Sequence, residues 1–320
     1  MSTRTNEATA GTDEISSATG ARVIAGATGI VGSRLTAELR RRGSPVRALS
    51  RNPAAAARTL GEGVDVRGVD LERPEGLVAA LEGASHAYFL VHLMGQGPDF
   101  AEREHRAARD FAEAAVEAGV ERVSYLGGLG GSSPHLRSRA RTAEVLANHG
   151  PPLTYFRAAM VVGPGSESYV LLRAIVDKLP LAPAPPWLDN RTQPIGIRDL
   201  VAYLRHSPEV PEAAGVEVQI GVPAPLTHRE VIDELARQLG VRGPIWLPIS
   251  GRIASAGVMA AGAAAVTPGD REVASELAYG LGEETIITDP GGAEPFGIDP
   301  ESIAVVLQRC IEQEERAEDG

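Results

Sequence analysis

Two rhythms of apolar positions alternate along this chain: short continuous runs, and longer stretches in which apolar residues return at helical spacing. Val23-Ile24-Ala25 is the first run. From Ile30 onward Val31, Leu35 and Leu39 mark one helical face, Arg40, Arg41 and Arg42 fill the last turn, and Gly43 closes it. The same alternation predicts strands over Val46–Leu49, Val64–Val69, His86–His92, Arg122–Leu126 and Leu153–Phe156. Between them it predicts helices over Ala54–Leu60, Pro74–Leu81, Phe100–Ala118 and His135–Asn148; Pro74 is suited to a first turn and Gly119 to a helix end. Strand and helix in strict succession imply an α/β protein with a Rossmann-like, doubly wound parallel sheet. Ligands bind such sheets at the carboxyl ends of the strands.

Beyond about residue 160 the pattern changes. Gly163-Pro164-Gly165 leads into a helix over Ser166–Lys178, and a proline-rich stretch then ends at Trp187. Further on, a strand is expected over Gln193–Ile197, Asp199 as N-cap of a helix over Leu200–Arg205, a strand over Val216–Ile220, a helix over Thr227–Leu239 and a short strand over Ile245–Leu247. The remainder reads as largely helical. The expected division is a disordered leader at 1–20, a dinucleotide-binding domain at 21–160, a smaller C-terminal substrate-side subdomain at 161–311, and an acidic tail at 312–320 that frays.

Composition narrows the partners. The 320 residues carry 31 Lys and Arg against 42 Asp and Glu, a formal charge of −11, which argues against nucleic-acid and anionic-membrane binding. The longest apolar stretch, Ile253–Val266, is rich in Ala and Gly and falls short of the roughly 20 residues that span a bilayer. Cys310 is the only cysteine, so no internal disulfide forms, and no signal pattern opens the chain; a cytoplasmic location is expected. The histidines show no metal-ligand spacing. A small molecule is the expected partner, and the oligomeric state is left open.

The chemistry concentrates in Gly26-Ala27-Thr28-Gly29-Ile30-Val31-Gly32, a G-x-x-G-x-x-G turn between the first strand and helix. Its first glycine permits the tight turn, the second lets backbone approach a pyrophosphate, and the third lets helix and strand pack closely; the helix N-terminus adds N–H donors. Gly26, Thr28, Gly29, Ile30, Val31 and Gly32 are therefore assigned to a dinucleotide. The second strand ends at Ser50-Arg51, with no acidic residue between Glu38 and Glu62 to accept from a ribose 2′-hydroxyl. Ser50 and Arg51 suit a 2′-phosphate, so NADP(H) is preferred over NAD(H), with Arg47 a weaker candidate. Asp70 and Leu71 after the third strand border the adenine. Val91 and His92, at the end of the fourth, face the cofactor, with a structural role the alternative for His92.

These pieces, together with YFLVHLMG at 88–95, HLRSR at 135–139, PLTYFRAAMVVGPGS at 152–166 and PPWLDNRTQPIGIRDL at 185–200, resemble the atypical short-chain dehydrogenase/reductases of the NmrA-like, NAD(P)H-binding kind. They are most similar to a bacterial NAD(P)-binding branch, without its additional C-terminal domain. The resemblance implies a Tyr-x-x-x-Lys pair on the helix after the fifth strand, where tyrosine handles the substrate proton and lysine holds the nicotinamide ribose. The matching positions here are His135 and Arg139. They are the catalytic candidates, with Arg139 also on the ribose; a helix-start histidine without function is the alternative. The helper serine implied after the fifth strand is replaced by Gly127 and Gly128, with Ser132 and Ser133 nearby as substitutes. Trp187 and Arg191 either line a substrate pocket or clamp the subdomain. Two functions follow: an NAD(P)H-dependent oxidoreductase acting on a small carbonyl, enone or quinone-like substrate, or a non-catalytic NADP(H)-binding redox sensor or assembly protein.

Overall fold

A computed structural model of the protein describes residues 20–93, 99–130, 133–250 and 282–318. Seven parallel strands form its central sheet: β1 (Ala21–Ala25), β2 (Val46–Ser50), β3 (Asp65–Gly68), β4 (Ala84–Phe89), β5 (Arg122–Gly128), β6 (Leu153–Ala158) and β11 (Glu217–Ile220). Their order is β11-β6-β5-β4-β1-β2-β3, so the chain runs outward from β1 to β3 and then returns to the other side of β1. That reversal, between β1 and β4, is where a doubly wound sheet opens a crevice.

Helices cover both faces. On one lie α3 (Leu77–Leu81), α4 (Phe100–Glu117) and α5 (Pro134–His149); on the other lie α1 (Ile30–Arg41), α2 (Pro53–Leu60) and α7 (Ile197–His206). Alternation along β1 divides the core accordingly. Val23 and Ala25 pack with Phe89, Phe111 and Tyr125, while Ile24 packs with Leu35, Tyr88 and Phe156 on the opposite face. A third apolar cluster joins α6 (Glu167–Lys178), α8 (His228–Gln238) and α9 (Ile303–Glu318). Three small ladders tie this part together: β7 (Val161–Val162) with β10 (Ile195–Gly196), β9 (Arg191–Thr192) with β12 (Leu226–Thr227), and β8 (Leu181–Ala184) with β13 (Ile245–Pro248).

Several boundaries differ from the sequence reading. β4 stops at Phe89: the Leu90 amide still donates to the Ala25 carbonyl, but Val91 and His92 lie beyond the strand. α3 starts only at Leu77, after Gly76 takes a left-handed φ of 83°. Asp199 is not an N-cap: Gly196 precedes the first helical turn, and Asp199 instead accepts from the Glu301 amide at 2.9 Å. The strand expected over Gln193–Ile197 shrinks to Ile195–Gly196. The strand ending at Ile220 is the edge strand of the central sheet, paired with β6. Over 312–318 the acidic tail continues α9 rather than fraying, and its last two residues lie outside the described ones. The leader through residue 19, Ser132 and the Ile253–Val266 stretch lie outside the described residues, as does most of the region read as largely helical. Among the described residues no helix is long and apolar enough to cross a membrane.

Gly32 sits where α1 meets the preceding turn. A Cβ there would fall inside van der Waals contact of the Gly26 carbonyl oxygen and 2.8 Å from the Ala27 Cα, both backbone atoms with little freedom to move. At Gly29 it would meet only the Gly26 carbonyl, at 3.4 Å. Gly32→Ala is therefore expected to cost about 1–3 kcal/mol of stability and Gly29→Ala under about 1 kcal/mol. Urea unfolding at constant m-value measures both, and equal midpoints for the two variants would contradict the packing argument.

Candidate functional site

A cavity of about 860 Å³ opens at the carboxyl ends of β1, β2, β4 and β5, within the roughly 300–1,000 Å³ of small-molecule sites. Its floor is the turn after β1. Gly26 has a φ of 85°, and a Cβ on it would lie 2.5 Å from the Leu90 carbonyl oxygen, so the residue meets both a conformational and a spatial demand for glycine. Gly29, the N-cap of α1, provides no side-chain cap, which leaves amide donors of the first turn to a ligand. Glycine cradle and uncapped helix start together fit a pyrophosphate.

Every residue assigned from the sequence to cofactor or catalysis borders this one cavity: Gly26, Thr28, Gly29, Ile30, Val31 and Gly32 of the turn, Ser50 and Arg51, Asp70 and Leu71, Val91 and His92, and His135 and Arg139. Ser50 folds back on Asn52, its hydroxyl accepting from that amide at 3.2 Å. Arg51 is well exposed and 3.9 Å from Glu72. Glu72 is an acidic neighbour the sequence reading passed over, but its charge is already met by a two-pronged interaction with Arg103 at 2.7 and 2.8 Å. That pairing, ahead of the weaker field of Arg51, holds its carboxyl below the usual range. Arg51 thus stands at the cavity edge with only a long ion pair to Glu72. Arg47 is committed elsewhere, to Asp65 and to the Ala80 and Glu82 carbonyls.

The helix after β5 carries the expected pair, with changed duties. Arg139 donates to the Leu126 carbonyl and lies over the Tyr125 ring, 5.5 Å from its centroid, so its guanidinium anchors α5 to β5 as well as lining the cleft. His135 stands 5.0 Å from His92, ring centroid to ring centroid, with its Nδ1 buried and unpaired. Burial, then the charge of Arg139, push its imidazole down to about 3, so it is neutral at pH 7. Gly127 leaves no room for a helper serine unless the Tyr155 ring moves, since a Cβ there would come within 2.6 Å of it. Ser133 is the N-cap of α5, accepting from the Leu136 amide at 3.1 Å. Trp187 and Arg191 do not line the cleft: Trp187 packs against the third apolar cluster, and Arg191 pairs with Glu284 at 2.9 Å.

Two functional candidates escaped the sequence reading. Glu104 is 1% exposed on α4, where it accepts from the Leu93 amide, the Thr142 hydroxyl and His92 Nδ1. Its signal was present: Glu104 occupies the apolar stripe with Ala107, Ala108 and Phe111, the wrong place for an unpaired charge. His228 opens α8 behind a capping box of Thr227 and Glu230, and nothing in that pattern marks its ring for a cleft. The residue is 4% exposed, and its ring lines the cavity near Thr192 and Thr285 with the Glu283 backbone as the polar neighbour of its buried nitrogens. Among the described residues no group of three or more potential ligands forms a metal site.

Sheet order, glycine turn and cleft together define a dinucleotide-binding α/β protein of the Rossmann type. Residues 26–158 match the model of an NAD(P)H-binding family. No curated protein sequence matches the chain. Among solved structures, an NADPH-dependent quinone oxidoreductase from Escherichia coli superposes with a TM-score of 0.70 at 19% identity, over 91% of this chain and 99% of that one. MoeE5, in complex with UDP-glucose and NAD, gives 0.68 at 20% identity over 93% and 99%. A UDP-glucose 4-epimerase from Thermotoga maritima gives 0.66 at 16% identity over 93% and 99%. At such identities the likeness is one of fold. NADPH and NAD complexes both occur among these neighbours.

Burial pushes His228 down to about 4, only partly opposed by the Glu283 backbone. A folded pKa below the unfolded value of about 6.5 means the unfolded chain binds the extra proton, so stability is full above about 6.5 and falls as pH drops toward 4. The loss attached to His228 is expected to be on the order of 2–3 kcal/mol by pH 4. His228→Leu, which removes both buried nitrogens, is expected to blunt that loss while leaving stability at pH 8 within about 1 kcal/mol. Chemical unfolding of parent and variant at both pH values measures the difference, and parallel pH profiles would exclude His228 as the titrating group.

Proposed function

We propose that the protein is an NADPH-dependent oxidoreductase, of the atypical short-chain dehydrogenase/reductase kind, that reduces a small carbonyl, enone or quinone-like substrate. The observation that carries this reading is the single cavity joining the glycine turn, the Ser50–Arg51 corner and three histidines, His92, His135 and His228. The turn and the N-terminus of α1 hold the pyrophosphate, Asp70 and Leu71 border the adenine, and Arg139 with Val91 lines the nicotinamide-ribose side. When bound, NADPH supplies a hydride. The chain's own work is to exclude water, orient the acceptor against the wall that includes Thr192, His228 and Thr285, and manage one proton among the cleft histidines.

A second reading, a non-catalytic NADP(H)-binding sensor or assembly protein, is favoured by the crowding of the Tyr155 ring against a helper serine at Gly127 and by the absence of the Tyr-x-x-x-Lys pair. A cofactor-oxidation screen against quinones, enones and aldehydes separates the two. The oxidoreductase reading requires acceptor-dependent loss of NADPH absorbance; tight NADPH binding with no acceptor turned over would favour the sensor.

The preference for NADPH rests on Arg51, since Glu72 is already paired with Arg103. Arg51→Ala is expected to weaken NADPH binding by about 1.5–3 kcal/mol, the worth of one charge-assisted interaction, and to change NADH binding far less. Calorimetric titration with both cofactors is the measurement, and equal affinities in the parent protein would sink the assignment.

A further inference from the structure

The carboxylate of Glu104 is an expensive thing to bury. Removing such a group from water costs several kcal/mol, and an apolar residue on the inner face of α4 would avoid that cost. Instead, one oxygen of Glu104 takes the Leu93 amide at 3.0 Å and His92 Nδ1 at 3.2 Å, and the other takes the Thr142 hydroxyl at 3.1 Å. Burial alone would raise its pKa; these donors and the Arg139 charge outweigh it and hold the group down to about 2. Glu104 is therefore anionic and acceptor-only, which fixes the proton of His92 on Nδ1. His92 follows β4, lines the cleft, and keeps part of its ring exposed. With Nδ1 engaged, Nε2 is the nitrogen left to a ligand. A carboxylate, an oriented imidazole and a reacting group form the arrangement that makes histidine an effective proton carrier.

We propose that, within the oxidoreductase reading, His92 is the catalytic acid–base group and Glu104 is its positioning residue, taking the place that the His135 position would have in a Tyr-x-x-x-Lys enzyme. As the substrate carbon receives the hydride, the carbonyl oxygen takes the Nε2 proton of the His92 imidazolium; the O–H bond forms, the Nε2–H bond breaks, and the neutral ring, still protonated on Nδ1, takes a proton back from bulk solvent. Three groups face the ring. Glu104 on α4 favours the imidazolium, Arg139 on α5 disfavours it, and His135, also on α5, is neutral and leaves the balance to the other two. Burial is the largest influence and sets the ring below its ordinary value, so turnover declines as pH rises through the His92 pKa.

Two measurements test the assignment. In the parent protein without substrate, ¹⁵N-resolved NMR of the histidine rings is expected to show His92 protonated on Nδ1 and titrating at Nε2; a ring protonated on Nε2 alone overturns the pairing with Glu104. With an acceptor from the screen, His92→Asn is expected to lower kcat by on the order of 10²–10⁴ while the NADPH Kd stays within about threefold. Glu104→Gln keeps the shape and removes the charge; the midpoint of its kcat–pH profile is expected about one unit lower than the parent's, a shift that a packing role would not produce. Turnover in His92→Asn within about threefold of the parent overturns the catalytic role. A parent that reduces no acceptor overturns the oxidoreductase reading and the catalytic role together, while the nitrogen spectrum still decides whether Glu104 holds the ring.

Discussion

The cleft depends on one close approach of backbone to backbone. Gly26 turns the chain out of β1 directly against the Leu90 carbonyl, and Gly32 lets the first turn of α1 lie on Gly26 and Ala27. Side chains at either position would push β1, α1 and the end of β4 apart. The helix start would then no longer point into the crevice that the reversal of strand order opens. Everything else at the site is referred to this junction: His92 is two residues beyond Leu90, and the Ser50–Arg51 corner belongs to the neighbouring strand.

How much of this was legible in the sequence follows from the range of each interaction. Residues through β6 read correctly as alternating strands and helices, because each buries an apolar face whose period is local. The grouping of the turn residues with Arg51, Asp70 and His135 around one crevice was also legible, since a parallel sheet fixes where its βα turns gather. Asp199 was misread because an acidic residue near a helix start suits an N-cap, and only the distant Glu301 amide explains its actual use. The edge strand ending at Ile220 gave no sign of its neighbour, because pairing with β6 is a contact across 62 positions, as with Glu217 and Tyr155. Nor did Arg139 reveal its bond to the Leu126 carbonyl.

Charge in the interior follows a consistent logic. Glu104 retains its charge because an amide, a hydroxyl and an imidazole meet it. His135 and His228 have no comparable set of partners and lose theirs, as burial disfavours the imidazolium. One wall of the cleft thus holds a fixed anion behind a histidine, and other stretches hold neutral rings with vacant lone pairs or N–H groups.

The segment from Gly282 to Phe296 stitches the two parts of the chain. Thr285 bridges to Thr192, the Ile287 amide donates to Gln193, the Thr288 and Asp289 amides donate to Gln219 on β11, and Phe296 completes an aromatic cluster with Phe156 and Tyr203. On the ribosome this has a temporal consequence. The glycine turn and the ends of β1 to β5 emerge before residue 160, whereas the opposing wall acquires Thr285 only after more than a hundred further residues. The wall at Thr192, His228 and Thr285 is thus the last part of the cavity to be synthesised.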